Sequence, residues 1–205
     1  MKTRTQGSSR LRDSVSRRDL LAGSAATVAC AFVPASALRF AGTTRAAVFT
    51  PNERHCLEAI VSRIIPADTD GPGALEAGCA LYIESALRDA YRSQKPAYSA
   101  GLAALDSRAI ERWGSLFAAL DVVEQDRILS EFERNTRVGE YEDSAAFFEL
   151  VRRHTLEGMF GDPSYGGNAN FAGWDLIGYP GLRMYVTPEL QRMNVAVPRS
   201  RVSAK

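Results

Sequence analysis

Thr50-Pro51-Asn52-Glu53-Arg54-His55-Cys56-Leu57-Glu58-Ala59-Ile60-Val61-Ser62-Arg63-Ile64 reads as a whole helix with its own start signal. Thr50 suits the N-cap, Pro51 the first helical position, where no amide hydrogen is needed, and Glu53 closes a capping box. Leu57, Ile60, Val61 and Ile64 recur at three-to-four spacing and therefore share one face. Pro66 stops the pattern, and Pro66 to Gly73 carries a turn former at nearly every position. A helix with one apolar face must bury it against other elements, so the rest of the chain decides the class.

The same helical grammar recurs four more times. A second helix is expected from about Ala74 to Tyr91, with Leu75, Cys79, Tyr82, Ile83, Ala86, Leu87 and Ala90 on one face, and Lys95-Pro96 breaks it. A third spans Tyr98 to Asp106 and continues or restarts through Ile110, Trp113, Leu116, Phe117 and Leu120. Asp121-Val122-Val123-Glu124 is another capping box, predicting a fourth helix over Glu124 to Arg137 that buries Ile128, Leu129 and Phe132, with Gly139 as its stop. Asp143 or Ser144 opens a fifth, carrying Phe147, Phe148, Leu150, Val151, Thr155 and Leu156 to Met159-Phe160. No strand alternation and no βαβ pattern interrupts. The expected fold is all-α, one domain of about five helices over residues 47–190.

After Phe160 the periodicity ends. Gly161-Asp162-Pro163-Ser164-Tyr165-Gly166-Gly167-Asn168 and the stretch from Phe171 to Gly181 mix glycines with large aromatics, a composition of structured loops rather than disorder. Glycines permit close backbone approach, and Tyr165, Trp174 and Tyr179 offer large contact area with one polar edge each. Two readings stand together: a rigid recognition loop, and a lid folded over the helices with Trp174 and Tyr179 completing the core. Residues 191–205 read as a flexible tail.

Ahead of the domain lies a different kind of sequence. Ser16-Arg17-Arg18-Asp19-Leu20-Leu21 matches the twin-arginine export signal, with Lys2, Arg4, Arg10 and Arg12 as a basic region before it and an apolar run after it. That run, broken by Gly23, Ser24 and Pro34, falls short of the about 20 predominantly apolar residues a spanning helix needs. Ala35-Ser36-Ala37 predicts cleavage after Ala37, and Thr44-Arg45-Ala46 offers a second site after Ala46. The expectation is periplasmic localisation by way of the twin-arginine translocase, a route for folded proteins. Residues 1–46 hold 8 of the 25 Lys+Arg and 2 of the 24 Asp+Glu, leaving 17 against 22 and a net charge of −5 on the remainder. An acidic body without a clustered basic surface argues against a nucleic-acid partner. With Cys30 in the leader, Cys56 and Cys79 remain, either as a disulfide or as two small buried residues.

Catalytic signatures are scarce. Ser164 lies one residue too far from Gly161 for a nucleophile elbow and follows no strand. His154 and Glu157 share a helix face but lack the further ligands of a zinc or di-iron site, so a polar flank with a helix-internal hydrogen bond or ion pair is expected. His55, in the first turns of its helix, is expected in solvent. No dinucleotide or P-loop fingerprint occurs.

The run from His154 through Gly158-Met159-Phe160-Gly161-Asp162-Pro163-Ser164-Tyr165-Gly166-Gly167-Asn168, followed by Gly173-Trp174-Asp175-Leu176-Ile177-Gly178-Tyr179-Pro180-Gly181, resembles the gluconate 2-dehydrogenase subunit 3 family. Phe49-Thr50-Pro51 and Ile64-Ile65-Pro66-Ala67-Asp68 resemble that family's start. The resemblance implies a small subunit without cofactor or catalytic residues. Its partners would be a large FAD-dependent sugar or polyol dehydrogenase subunit and a cytochrome c carrying haem. It also implies help in maturing the flavoprotein and co-export on a leader bearing Arg17, Arg18, Leu20 and Leu21. Tyr165, Gly166, Gly167, Asn168, Trp174, Tyr179, Pro180 and Gly181 are the candidate partner interface. Alternatives of other classes are a free-standing exported enzyme built on His154, Glu157, Asp162 and Tyr165, and an exported binding module.

Overall fold

In the computed structural model α1 spans Pro51–Ile64, α2 Cys79–Arg88, α3 Lys95–Trp113, α4 Val122–Glu133, α5 Ser144–Phe160 and α6 Ala172–Leu176. Residues 47–134, 143–183, 185–193 and 195–202 are described. The twin-arginine motif, its apolar run, Cys30 and both cleavage sites lie outside them, as do Arg137 and Gly139. No strand occurs among the described residues, and none of their helices is long and apolar enough to cross a membrane.

Both capping boxes form as the sequence predicts. The Thr50 side chain accepts from the Glu53 amide while Glu53 accepts from the Thr50 amide, and Asp121 and Glu124 make the same reciprocal pair. Cys56, Leu57, Ile60 and Val61 turn inward, and α1 packs against α2, α3, α4 and α5 at the centre of the bundle. Ile128, Leu129 and Phe132 of α4 and Phe147, Val151 and Met159 of α5 fill the same core. Gly101 lets α3 close on α5, since a Cβ there would run into the Phe147 ring.

Several boundaries differ from expectation: α2 ends at Arg88 rather than about Tyr91, and α4 begins at Val122 rather than Glu124. The second helix begins at Cys79 instead of Ala74, because Gly78 adopts the left-handed conformation at φ 77° and separates a preceding turn from the helix. Leu75, expected in the core, is therefore exposed, while Ala74 and Ala77 are buried. Lys95-Pro96 opens α3 rather than only closing what precedes it; proline in the first turn costs no hydrogen bond. The third helix is one unbroken element to Gly114, which ends it at φ 70°, and its buried face runs through Leu102, Leu105 and Ala109. Ile110 and Leu116 consequently stand exposed. Beyond Gly114 the Asp106 carboxylate accepts from the Phe117 amide at 3.0 Å and the Gln125 side chain donates to the Phe117 carbonyl at 3.1 Å, seating that ring in the core.

Cys56 and Cys79 are free, buried thiols on α1 and α2. Burial raises both, Cys79 to about 12 and Cys56 well above its ordinary value, so the reading as small apolar packing residues holds. Glu84 on α2 is an unexpected buried charge, held between Arg54 at 2.7 Å and Arg88 at 2.6 Å.

Candidate functional site

The glycine and aromatic segment after α5 is joined to the helices backbone to backbone. A Cβ at Gly167 would run into the Gly158 carbonyl, and one at Gly173 into the Met159 carbonyl. Gly158 in turn lets α5 approach α2, where a Cβ would meet the Tyr82 ring at 3.0 Å and Cys79 at 3.3 Å. Asn168, fully buried, spans this seam: its amide nitrogen donates to the Gly161 carbonyl at 2.8 Å, and its side-chain oxygen accepts from the Gly173 amide at 2.8 Å. The Ala169 amide donates to the Ala77 carbonyl at 3.0 Å, tying the segment to the turn before α2. Asn168, Asn170 and Phe171 are all left-handed, at φ 47°, 56° and 64°. For Phe171 this is a strained conformation that the surrounding contacts must hold.

Within the candidate interface, burial divides the residues. Trp174 is only 5% exposed, donates from its indole nitrogen to the Phe160 carbonyl at 2.9 Å and meets Tyr179 edge to face. Gly167, Asn168 and Gly181 are also buried, whereas Tyr165 and Gly166 are exposed, Tyr179 partly so and Pro180 half-buried. The segment thus acts as a lid through Trp174. It leaves outside a run of apolar side chains that the sequence analysis did not single out: Leu176, Ile177, Leu182, Tyr185 and Val186, with Tyr185 77% exposed. Their signal was present, apolar residues without helical period, but exposure is decided only by how the segment folds back.

The described part of the tail returns to this segment. Arg199 and Arg201 pair with Asp175 at 2.6 and 2.7 Å, which holds that carboxyl below its usual range, Arg201 contributing most. The Ser200 amide donates to the Pro180 carbonyl at 2.6 Å, and the Arg201 guanidinium lies 5.5 Å from the centre of the Phe171 ring.

His154 is not on a polar flank, whereas Glu157 stays half-buried at the edge of one. His154 is fully buried, and its Nδ1 lies 2.9 Å from the Tyr98 hydroxyl. The Tyr91 ring stacks on the imidazole at 4.4 Å with planes 2° apart, and Tyr98 lies on it at 5.8 Å. Glu157 has the expected ion pair, with Arg153 at 3.9 Å, but the same carboxylate accepts hydrogen bonds from both Tyr82 and Tyr91 at 3.1 Å. The correction follows from α5 being enclosed on this side: tyrosines of neighbouring elements must find acceptors inside, and α5 supplies them. Burial holds the imidazole in its neutral form, below its usual range, and raises all three phenols, with Glu157 adding to the rise at Tyr82 and Tyr91. The imidazole therefore favours its neutral form, and the phenols keep their protons near neutral pH.

Of the alternative enzyme constellation, His154 and Glu157 join one network through the tyrosines, Asp162 accepts from the Ser164 amide at 2.9 Å, and Tyr165 stands at the surface. His55 is exposed, as expected. Among the described residues no three His, Cys, Asp or Glu converge as a metal-binding group. Beside the tyrosine network, Tyr82, Ser85, Asp89, Tyr91 and Tyr165 line a hollow of about 460 Å³.

A family model described as Gluconate 2-dehydrogenase subunit 3 matches residues 51–181, from the first residue of α1 to the last glycine of the aromatic segment. No curated protein and no solved structure matches the chain. Covering well over half the chain and nearly every described helix, the match shows that this protein belongs to the gluconate 2-dehydrogenase subunit 3 family, a family named for one subunit of a dehydrogenase complex.

Proposed function

We propose that this chain is the non-catalytic small subunit of a periplasmic FAD-dependent sugar or polyol dehydrogenase, and that it assists maturation and twin-arginine co-export of the flavoprotein subunit. The observation that carries the reading is the exposed apolar run at Leu176, Ile177, Tyr179, Leu182 and Tyr185, displayed by a segment that Asn168 and Trp174 fasten to the core. Exposed apolar side chains on a rigid support are what a stable protein partner covers. The neutral imidazole and raised phenols beside it suit a structural network better than acid–base catalysis. FAD belongs to the large subunit in this reading, and haem c to a cytochrome subunit where the complex has one. The Ser16-Arg17-Arg18 motif would carry the flavoprotein across after its cofactor is loaded, which requires a folded partner.

The test is copurification of the tagged chain from native membranes, with absorbance spectra for flavin and haem. Wild type should bring down a flavoprotein, and an Ile177→Asp, Tyr179→Ala double variant should recover at least tenfold less flavin, as expected when apolar contacts at an interface centre are lost. Undiminished recovery rules out this surface. Replacing Arg17 and Arg18 by lysine should leave the dehydrogenase activity in the cytoplasm, and unchanged periplasmic activity would rule out carriage.

A further inference from the structure

We propose that residues 198–201 are a detachable clasp, released by salt, that holds the turn after α6 in the shape the partner protein recognises. The inference rests on the subunit reading above and concerns the same surface. Asp175, near the end of α6, receives two arginines, Arg199 at 2.6 Å on one carboxylate oxygen and Arg201 at 2.7 Å on the other. Arg199 also donates to the Asp175 carbonyl at 3.2 Å. Between the arginines, the Ser200 amide donates to the Pro180 carbonyl at 2.6 Å. A Cβ at Gly181 would run into the Ser200 carbonyl, so the two stretches of main chain lie flush. Leu176, Ile177 and Tyr179, apolar side chains of the proposed partner surface, are thus bracketed by clasp contacts at Asp175 before them and Pro180 after.

The clasp also sits on strained backbone. Asn170 and Phe171 lie in the left-handed region at φ 56° and 64°, which residues other than glycine rarely adopt. Arg201 reaches both: its guanidinium donates to the Asn170 carbonyl at 3.0 Å and lies 5.5 Å from the centre of the Phe171 ring. Bonds within the turn are local, the amides of Ile177, Gly178 and Tyr179 donating to the carbonyls of Gly173, Asp175 and Trp174. To these the clasp adds a tie between the two ends of the turn, made by an arginine 24 positions further along the chain than Asp175. Its side-chain contacts are those of a surface: Arg199 and Arg201 are 47% and 55% exposed, and Val195 and Val202 on either side stay in solvent. Exposed ion pairs are weak, and they are screened when the Debye length falls from about 10 Å at about 0.1 M salt to about 3 Å at about 1 M. The buried Asn168 and Trp174 anchors lack that sensitivity, so salt frees the outer tie and leaves the inner one in place.

The experiment uses the full purified chain. By NMR, the Ser200 amide should exchange with water roughly fivefold to tenfold faster at about 1 M than at about 0.1 M salt, the range of two exposed ion pairs. The Ile177 and Gly178 amide resonances should move over the same salt range. Asp175→Asn, and Arg199→Gln with Arg201→Gln, should show the released values already at low salt, with melts within about 2 °C of wild type. Used to capture flavoprotein, both should recover roughly fivefold less flavin, the loss expected when a binding turn is no longer preorganised. Combining Asp175→Lys with Arg199→Glu and Arg201→Glu restores opposite charges and should restore both slow exchange and capture, which arginines acting directly on the partner would not allow. Ser200 exchange indifferent to salt and to every substitution overturns the inference. Capture by wild type that released variants match overturns it too and leaves the subunit reading standing, as does a charge-swapped chain that regains slow exchange without capture. Wild type that captures no flavoprotein overturns the subunit reading and the clasp's role in recognition together.

Discussion

Replacing Asn168 with alanine is expected to destabilise the domain by about 4 kcal/mol, built from three parts. The first is the Gly173 amide, which loses its acceptor in a buried setting, at about 1–3 kcal/mol. The second is the part-buried Gly161 carbonyl, which loses its donor and sits near the low end of that range, about 1 kcal/mol. The third is the backbone, left-handed at φ 47°, which asparagine tolerates through its short polar side chain and alanine does not, at roughly 1 kcal/mol. For a domain of this size each kcal/mol shifts Tm by about 2–4 °C, so a circular-dichroism melt should move down by roughly 8–16 °C. Asn168→Gly separates the parts, since it loses both hydrogen bonds but relieves the backbone, and should recover about 1 kcal/mol relative to alanine. A shift of less than about 3 °C for the alanine variant would refute the reasoning, because it would mean that neither bond holds the segment in place.

Two further outcomes concern the helices. Since the buried His154 binds its proton less readily folded than unfolded, its contribution is level above its ordinary value of 6.5 and becomes destabilising as pH falls below that. Melts from about pH 7.5 to about pH 5 should show a falling Tm whose slope is reduced in His154→Gln; equal slopes would exclude the imidazole as the source. Glu84→Ala should cost about 1–2 kcal/mol in urea denaturation with an unchanged m-value, less than a fully buried pair, because Arg54 and Arg88 are 35% and 28% exposed and recover water. No change in midpoint would show that the triad contributes nothing net.

What could be read along the chain is what local chemistry decides. Thr50 with Glu53, and Asp121 with Glu124, are complete signals within four residues, and both caps form. The apolar faces of α1, α4 and α5 follow from spacing alone. What could not be read depends on residues distant in sequence. Tyr98 and His154 meet across 56 positions, and Glu157 draws in Tyr82 and Tyr91 from across the bundle, so a pair expected as a polar helix flank joins one network, with His154 buried and Glu157 half-buried. Gly78 is a subtler case: nothing in the periodicity from Leu75 to Ala90 distinguishes a helical glycine from a left-handed one, and the turn is set by tertiary contact, including the Ala77 carbonyl accepting from Ala169. Glu84 belongs with these, since one of its two arginines, Arg54, comes from another helix.

The seam along Gly158, Gly167 and Gly173 lies wholly within the matched span. At these positions the requirement is the absence of a methyl group, so the three glycines set the distance between two stretches of main chain. The matched span stops at residue 181, while Tyr185 and Val186, among the exposed apolar side chains, lie just past it. What closes this molecule therefore lies within the matched span, while part of the apolar surface it displays lies beyond it.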